Sequence, residues 1–230
     1  MAIIITATGD TPVLEARNLY RFFRAGEEET LALRGVSLTV QAGTTVAVLG
    51  PSGSGKSTLL NCLAGLDEPA GGTVLVRGER LSHRPETERV RIRAHRIGVL
   101  LQTGNLLQHL DVRGNIRVAQ LACRTDAPRH RVDDLLEQLG LAARWHAYPT
   151  ELSGGELARA GLAVALANDP DVVLADEPTG ELDGDTEQQV LQLLADHAGR
   201  GAGLVVVTHS PEVARMADRI LTLTDGQISP

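Results

Sequence analysis

The stretch Gly50-Pro51-Ser52-Gly53-Ser54-Gly55-Lys56-Ser57-Thr58 constrains this chain more than any other. It follows the apolar run Thr45-Val46-Ala47-Val48-Leu49, which reads as a buried strand. It leads into Leu59-Leu60-Asn61-Cys62-Leu63-Ala64, which reads as the start of a helix. Its glycines let backbone N–H groups converge on an anion with no Cβ in the way. The helix start adds a partial positive charge at the same spot. Strand, glycine-rich turn and Lys-Ser at a helix start, in that order, define a phosphate-binding loop. Lys56 can reach the terminal phosphates, and the Ser57 hydroxyl can ligate Mg²⁺.

Composition sharpens the point at one residue. Of 22 Lys and Arg side chains, Lys56 is the only lysine. A slim ammonium threads a ring of backbone amides, whereas a planar guanidinium is too broad.

A chain of 230 residues is one large domain, or a core with a subdomain. Its net charge of −7 disfavours a general nucleic-acid binder, which would carry a basic stripe. It does not disfavour nucleotide binding, where local amides dominate. Cys62 and Cys123 give neither metal spacing nor a disulfide framework, so a reducing cytoplasm is the simplest setting. No apolar run approaches the roughly 18–20 residues that span a bilayer. The stretch around Ile3-Ile4-Ile5 lacks the basic flank and length of a secretory leader. The chain is expected to be soluble, with any membrane role arising through a partner.

Before the loop, Val13 to Leu19 and Leu31 to Val40 read as strands about a solvated turn at Gly26 to Glu29. Tyr20, Phe22 and Phe23 stand out because aromatics are only 2% of the chain. An exposed ring there could stack on a base, or all three could pack on the sheet. After the loop, Gly71-Gly72 reads as a turn into the strand Thr73 to Val76. Arg77 to Arg96 is rich in arginine and reads as a solvated face with a helix over Glu86 to His95, or as a docking surface for an acidic partner. Asn115 to Cys123, Arg131 to Leu139 and the stretch onward to Trp145 read as helical.

Four further places carry chemistry. Gln102 ends the short strand Ile97 to Leu101, on the side where an α/β sheet binds ligands. Ser153-Gly154-Gly155-Glu156 reads as a capping box opening the helix Leu157 to Ala167. Such a helix start is a second anion site, or simply a cap. Gly161 within that helix implies close packing. Asp171 to Glu177 is a second buried strand ending in two carboxylates, Asp176 and Glu177. Strand alternation points them apart, so one can hold Mg²⁺ while the other faces a water. His209 ends a third apolar strand, Leu204 to Thr208, within reach of a γ-phosphate. A turn at Gly180 to Asp183 precedes the helix Thr186 to His197, and Ile220 to Leu223 with Asp225-Gly226 closes the chain as strand and turn.

With these in order, the chain from about Val13 to Ile228 resembles an ABC transporter ATP-binding subunit. The stretches FFRAGEEETLALRGVSL, QTGNLLQHL, YPTELSGGE and LADEPTGELD make it most similar to the lipoprotein-release and macrolide-export ATPases. The resemblance implies an α/β fold: a P-loop NTPase (RecA-like) core over about 13–102 and 165–228, an N-terminal antiparallel β subdomain, and an inserted α-helical subdomain over about 103–164. It implies that Phe23 stacks on adenine, ahead of Tyr20 and Phe22. Gly50 to Thr58 would be Walker A, and Gln102 the Q-loop residue that senses Mg²⁺ and touches the permease. Leu152, Ser153, Gly154, Gly155 and Glu156 would be the signature, acting on the ATP of a second copy. Asp176 would be the Walker B acid, Glu177 the catalytic base, Asp183 the D-loop residue and His209 the switch histidine. Metal ligation would fall to Ser57, Gln102 and Asp176. The implied cofactors are ATP and Mg²⁺. The implied partners are an identical second copy and integral membrane permease subunits, with the chain held peripherally at the inner face of the cell membrane.

This sequence departs from the family pattern at Leu157 and Ala158, where polar residues are common, and at Val164, where arginine is usual. Glu181 replaces a small or amide residue, and Leu101 an aromatic. None of these removes a catalytic group. An ATP-gated scaffold on a membrane partner, as in cell-division relatives, would share all the motifs. A soluble ATPase of this kind acting on DNA or ribosomes would carry coiled-coil insertions or a second domain, which are absent here.

Overall fold

A computed structural model of the chain describes residues 11–25, 28–123, 132–180, 182 and 184–229. Two sheets carry the fold. The first is antiparallel, in the order β2-β1-β4-β5, from β1 (Leu14–Ala25), β2 (Glu28–Val40), β4 (Gly71–Val76) and the two-residue β5 (Glu79–Arg80). The second runs β10-β9-β3-β8-β7-β6. It comprises β3 (Thr45–Leu49), β6 (Ile97–Leu100), β7 (Val172–Asp176), β8 (Gly203–Val207), β9 (Arg219–Thr224) and β10 (Gln227–Ser229). All its pairings are parallel except β9 with β10.

The central strands of the second sheet are apolar on both sides because both faces are covered. Val46, Val48, Leu174, Val205 and Val207 pack with α1 (Lys56–Leu63) and the first sheet. Val173, Ala175, Leu204 and Val206 face the opposite way. They pack with α3 (Val112–Ala122), α4 (Val132–Gln138), α5 (Gly154–Leu166) and α6 (Gly184–Gly199). Period-two alternation thus splits one set of strands between two cores. Two further α-helices are α2 (Glu86–Arg96) and the short α7 (Pro211–Ala214), with single 3-10 turns at Ala142–Arg144 and Pro149–Glu151, and none of the described helices is long and apolar enough to cross a membrane.

Several sequence expectations shift. Gly71 and Gly72 are not a turn but the start of β4. Gly72 sits at φ 92°, and a Cβ there would lie 2.3 Å from the Asn18 carbonyl of β1, so the close strand approach requires glycine. Helix α3 begins three residues before Asn115 because Asp111 caps it, its carboxylate accepting from Gly114 N at 2.6 Å. The terminal turn at Asp225-Gly226 does not end the chain's structure but reverses it into β10.

The arginine run is a solvated face carrying the expected helix, α2, and its charge is largely paired with carboxylates. Arg89 pairs with Glu68 and Glu86, Arg91 with Glu79, and Arg84 with Glu88. Arg77 and Arg96 both reach Asp171, each at 3.0 Å. These pairs pin α2 to the strand connections on either side of it.

Candidate functional site

Because β3, β8, β7 and β6 are parallel neighbours, their C-terminal ends share one edge of the sheet. The segments leaving that edge carry Gly50 to Thr58, Thr208 and His209, Glu177 just past Asp176, and Gln102. Strand β8 lies between β3 and β7, so His209 falls between the phosphate loop and the acidic pair.

The loop needs its glycines for space. A Cβ on Gly50 would fall 2.1 Å from the Leu223 carbonyl, and one on Gly55, at φ 103°, would fall 2.4 Å from the Ala32 carbonyl. No side chain caps α1, and no acidic residue sits in its first turn, so its first N–H groups remain available to an anion. Lys56 Nζ donates to the Gly50 carbonyl at 2.7 Å and the Pro51 carbonyl at 3.0 Å, folding the ammonium back across the loop. Pro51, Ser52, Gly53 and Ser57 line the exposed side of the turn, Thr58 is half-buried, and Ser54 is buried beneath.

Burial pushes the Asp176 carboxyl above the ordinary aspartate range. A hydrogen bond from the Ser57 hydroxyl opposes this, the neighbouring Glu177 carboxylate adds to it, and the Lys56 ammonium also opposes it. Glu177 lies one residue past β7 with φ 46°, a left-handed backbone uncommon for glutamate. Its N–H still bonds the Val207 carbonyl at 2.8 Å. The two carboxylates have different neighbours, Asp176 lying near Ser57 and Lys56 and Glu177 reaching towards the end of β8. Glu177 Oε2 accepts from Thr208 Oγ1 at 2.9 Å, and His209 Nδ1 sits 2.7 Å from Oε1.

Gln102 is exposed and shares a cleft with Glu177, Pro178, Gly154, Leu157 and Ala158. No hydrogen bond among the described residues joins it to Ser57 or Asp176. Its loop is braced by Asn105, whose side chain bonds both the N–H (2.8 Å) and the carbonyl (2.6 Å) of Leu101. Gly161 of α5 packs against this brace, a Cβ there meeting Asn105 Cβ at 3.0 Å, so the close packing expected of Gly161 is present.

At the start of α5 the capping box is complete. Ser153 Oγ accepts from Glu156 N at 3.3 Å, and Glu156 Oε2 accepts from Ser153 N at 2.9 Å. The Ser153 backbone N–H chiefly holds the Glu156 carboxyl below its usual range; burial opposes it, and the Ser153 hydroxyl and the Arg144 guanidinium at 3.0 Å add to it. Leu152, half-buried, packs with the second core. Phe23, in β1, is 43% exposed; Phe22 and Tyr20 are exposed to a similar degree, with the Tyr20 ring beside Gly35 and Gly71. Asp183 and Glu181 lie outside the described residues. Thr208, Asn105 and Arg144 were not singled out in the sequence. Thr208 could have been, as the hydroxyl immediately before His209 at a strand end.

Residues 33–180 match the ABC transporter family. The chain belongs to that family and is an ABC ATPase. The cassette is 42% identical over 220 residues to the macrolide export ATP-binding/permease protein MacB of Azoarcus sp. strain BH72, covering 95% of this chain and 34% of that protein. It is 39% identical over 219 residues to MacB 2 of Aeromonas hydrophila, covering 94% of this chain and again 34% of the relative. The chain therefore spans about a third of the length of these relatives. A solved dimeric bacterial ABC transporter cassette, MJ0796, superposes with a TM-score of 0.88 at 34% identity, covering 94% of this chain and 97% of that one. A post-hydrolysis dimer of the same cassette bound to ADP and Pi superposes with a TM-score of 0.87. The α/β P-loop fold with an antiparallel β subdomain is the one expected from the sequence.

Proposed function

We propose that the cassette binds ATP with Mg²⁺ and hydrolyses it to drive a membrane permease of the exporter or lipoprotein-release type, working as a pair of identical copies. The observation that carries this reading is Glu177, whose carboxylate is held from two sides by Thr208 and His209 on the same sheet edge as the phosphate loop.

The phosphates would lie against the N–H groups from Gly50 to Thr58 with Lys56 alongside, and adenine against Phe23. Glu177 would take the proton of the attacking water, while His209 steadies it through Nδ1 and presents Nε2 to the γ-phosphate. The Ser57 hydroxyl, the Asp176 carboxylate and the Gln102 amide oxygen are hard donors that suit Mg²⁺, and Ser57 lies close enough to Asp176 to act on its carboxyl. Bound there, the ion would supply charge neutralisation at the β- and γ-phosphates.

The signature supports a partner copy. A Cβ on Gly155 would meet Thr186 Cγ2 at 2.6 Å, which explains that glycine within one chain. A Cβ on Gly154 would meet nothing within 4 Å. A nucleotide held by a second copy, pressed onto the helix start at Ser153 and Gly154, gives the second glycine its reason. Asp183, following the acidic pair, would lie at the same interface.

We also assign 13–102 and 165–228 to the catalytic core and 103–164 to a helical subdomain, whose residues Ile116, Leu135, Leu136 and Leu141 join one face of the central sheet in a common core. Attachment to permease subunits would hold the cassette peripherally at the inner face of the cell membrane. Phosphate release from Mg²⁺-ATP, together with co-purification of an integral membrane protein, tests the proposal. A cassette that binds ATP yet releases no phosphate, alone or with that protein, overturns it.

A further inference from the structure

Arg21 occupies a place that neither the loop nor the signature accounts for. Its guanidinium lies over the Phe23 ring, 4.7 Å from the centroid. The same group forks onto Asp67, with Nε donating to Oδ2 at 2.9 Å and Nη2 lying 2.8 Å from Oδ1. Asp67 is itself fixed just beyond the C-terminal end of α1. Its N–H bonds the Asn61 carbonyl at 3.1 Å, and its Oδ1 accepts from Glu68 N at 2.9 Å. The helix that begins at the phosphate loop therefore ends at a carboxylate that grips Arg21, and Arg21 covers one face of Phe23.

We propose that Arg21 and Asp67 are positioning residues for base stacking: they clamp the Phe23 ring at a set angle so that its uncovered face receives adenine. The inference rests on the reading of Phe23 as the base platform. Three physical points support it. Phe23 sits on a strand whose pairing with β2 slips between Arg21 and Phe22, an irregularity of the kind that re-aims the side chains beside it. A ring that keeps 43% of its surface exposed has little packing to hold it otherwise. A guanidinium placed on a π face is attractive, and the fork to Asp67 fixes where that guanidinium lies. The clamp also joins the two ends of the nucleotide site, since α1 carries Lys56 at its start and leads to Asp67 at its end.

Isothermal titration of the full chain with ATP and with inorganic tripolyphosphate, which has no base, tests this. Phe23→Ala should weaken ATP about tenfold, in keeping with the loss of one stacked base, and leave tripolyphosphate unchanged. Arg21→Met keeps the apolar stem and removes the fork. It should weaken ATP about three- to fivefold, leave tripolyphosphate unchanged, and add nothing on top of Phe23→Ala. Arg21→Lys, the milder change, should fall between Met and wild type, and melting curves check that each variant is folded. If Phe23→Ala leaves ATP affinity unchanged, the platform reading fails and the clamp with it. If Phe23→Ala weakens ATP while Arg21→Met and Arg21→Lys do not, or if the losses from Arg21→Met and Phe23→Ala simply add, the clamp alone is overturned. Equal weakening of ATP and tripolyphosphate by Arg21→Met would show a structural role only, and also overturn it.

Discussion

His209 Nδ1 lies 2.7 Å from Glu177 Oε1, although the histidine side chain is 76% exposed and the glutamate only 13%. A surface imidazole thus reaches inward to orient a largely buried carboxylate. With Thr208 on the other oxygen, Glu177 has a fixed direction rather than a choice of rotamers, which is what a general base requires.

Replacing Glu177 by Gln preserves its size and can keep the Thr208 contact while removing the basic oxygen. Steady-state phosphate release should fall by about 10²–10⁴-fold, the usual contribution of a positioned base. ATP binding measured by equilibrium titration should be retained. Release within threefold of wild type would remove Glu177 from that role.

Thr208→Val tests the orienting effect, although it also takes from Ser210 N its Thr208 Oγ1 acceptor. The methyl fills the same space, but Glu177 Oε2 loses its donor. Turnover should drop by roughly tenfold, the value of about one hydrogen bond expressed at the barrier, with KM for ATP little altered. The double variant with His209→Ala should lose less than the product of the two single effects, because both act through one carboxylate.

The parts of this site that were legible in the sequence are those where local spacing fixes geometry. Ser153 and Glu156, three residues apart, can close a capping box whatever surrounds them. Strand, glycines and Lys56 fix a phosphate loop in the same way. What stayed hidden depends on neighbours distant in the chain. The N–H of the left-handed Glu177 is held by Val207, and its carboxylate by Thr208 and His209 beyond it. The arginine run looked basic because Glu68, Glu79 and Asp171, which neutralise it, lie on other elements. Gly72 read as a turn because nothing local announces the approach of Asn18.

Asp176 gives the pH dependence its sign. Its carboxyl is raised, chiefly by burial, so the folded chain holds a proton that the unfolded chain releases. Between the unfolded and folded values the folded state binds more protons, and stability falls as pH rises through that window. Above it the cost of the buried carboxylate is fully present. Asp176→Asn removes the charge, so the variant should melt a few degrees higher than wild type at pH 7 while losing ATP hydrolysis. The gap should close as pH falls towards about 4, where the unfolded aspartate also becomes protonated. A melting difference that is flat across this range would place the raised value in error.

The two signature glycines separate folding from assembly. Gly155→Ala drives a methyl to within 2.6 Å of Thr186 Cγ2 on α6, so the Thr186 side chain must turn away or the α5–α6 packing must open. Overpacking of this kind costs about 1–3 kcal/mol and should appear as a lower melting temperature in the isolated chain. Gly154→Ala adds a methyl in open space at the first position of α5, where alanine suits a helix. Its melting temperature should match or slightly exceed that of wild type. If a second copy's nucleotide closes on this helix start, the added methyl stands between the N–H groups and the phosphates. In a Glu177→Gln background, ATP should then fail to convert the Gly154→Ala chain from monomer to dimer by light scattering, while Lys56-dependent binding of ATP to each monomer persists. Normal ATP-driven dimerisation of Gly154→Ala would mean that the open space beside this glycine has no occupant in the assembled state.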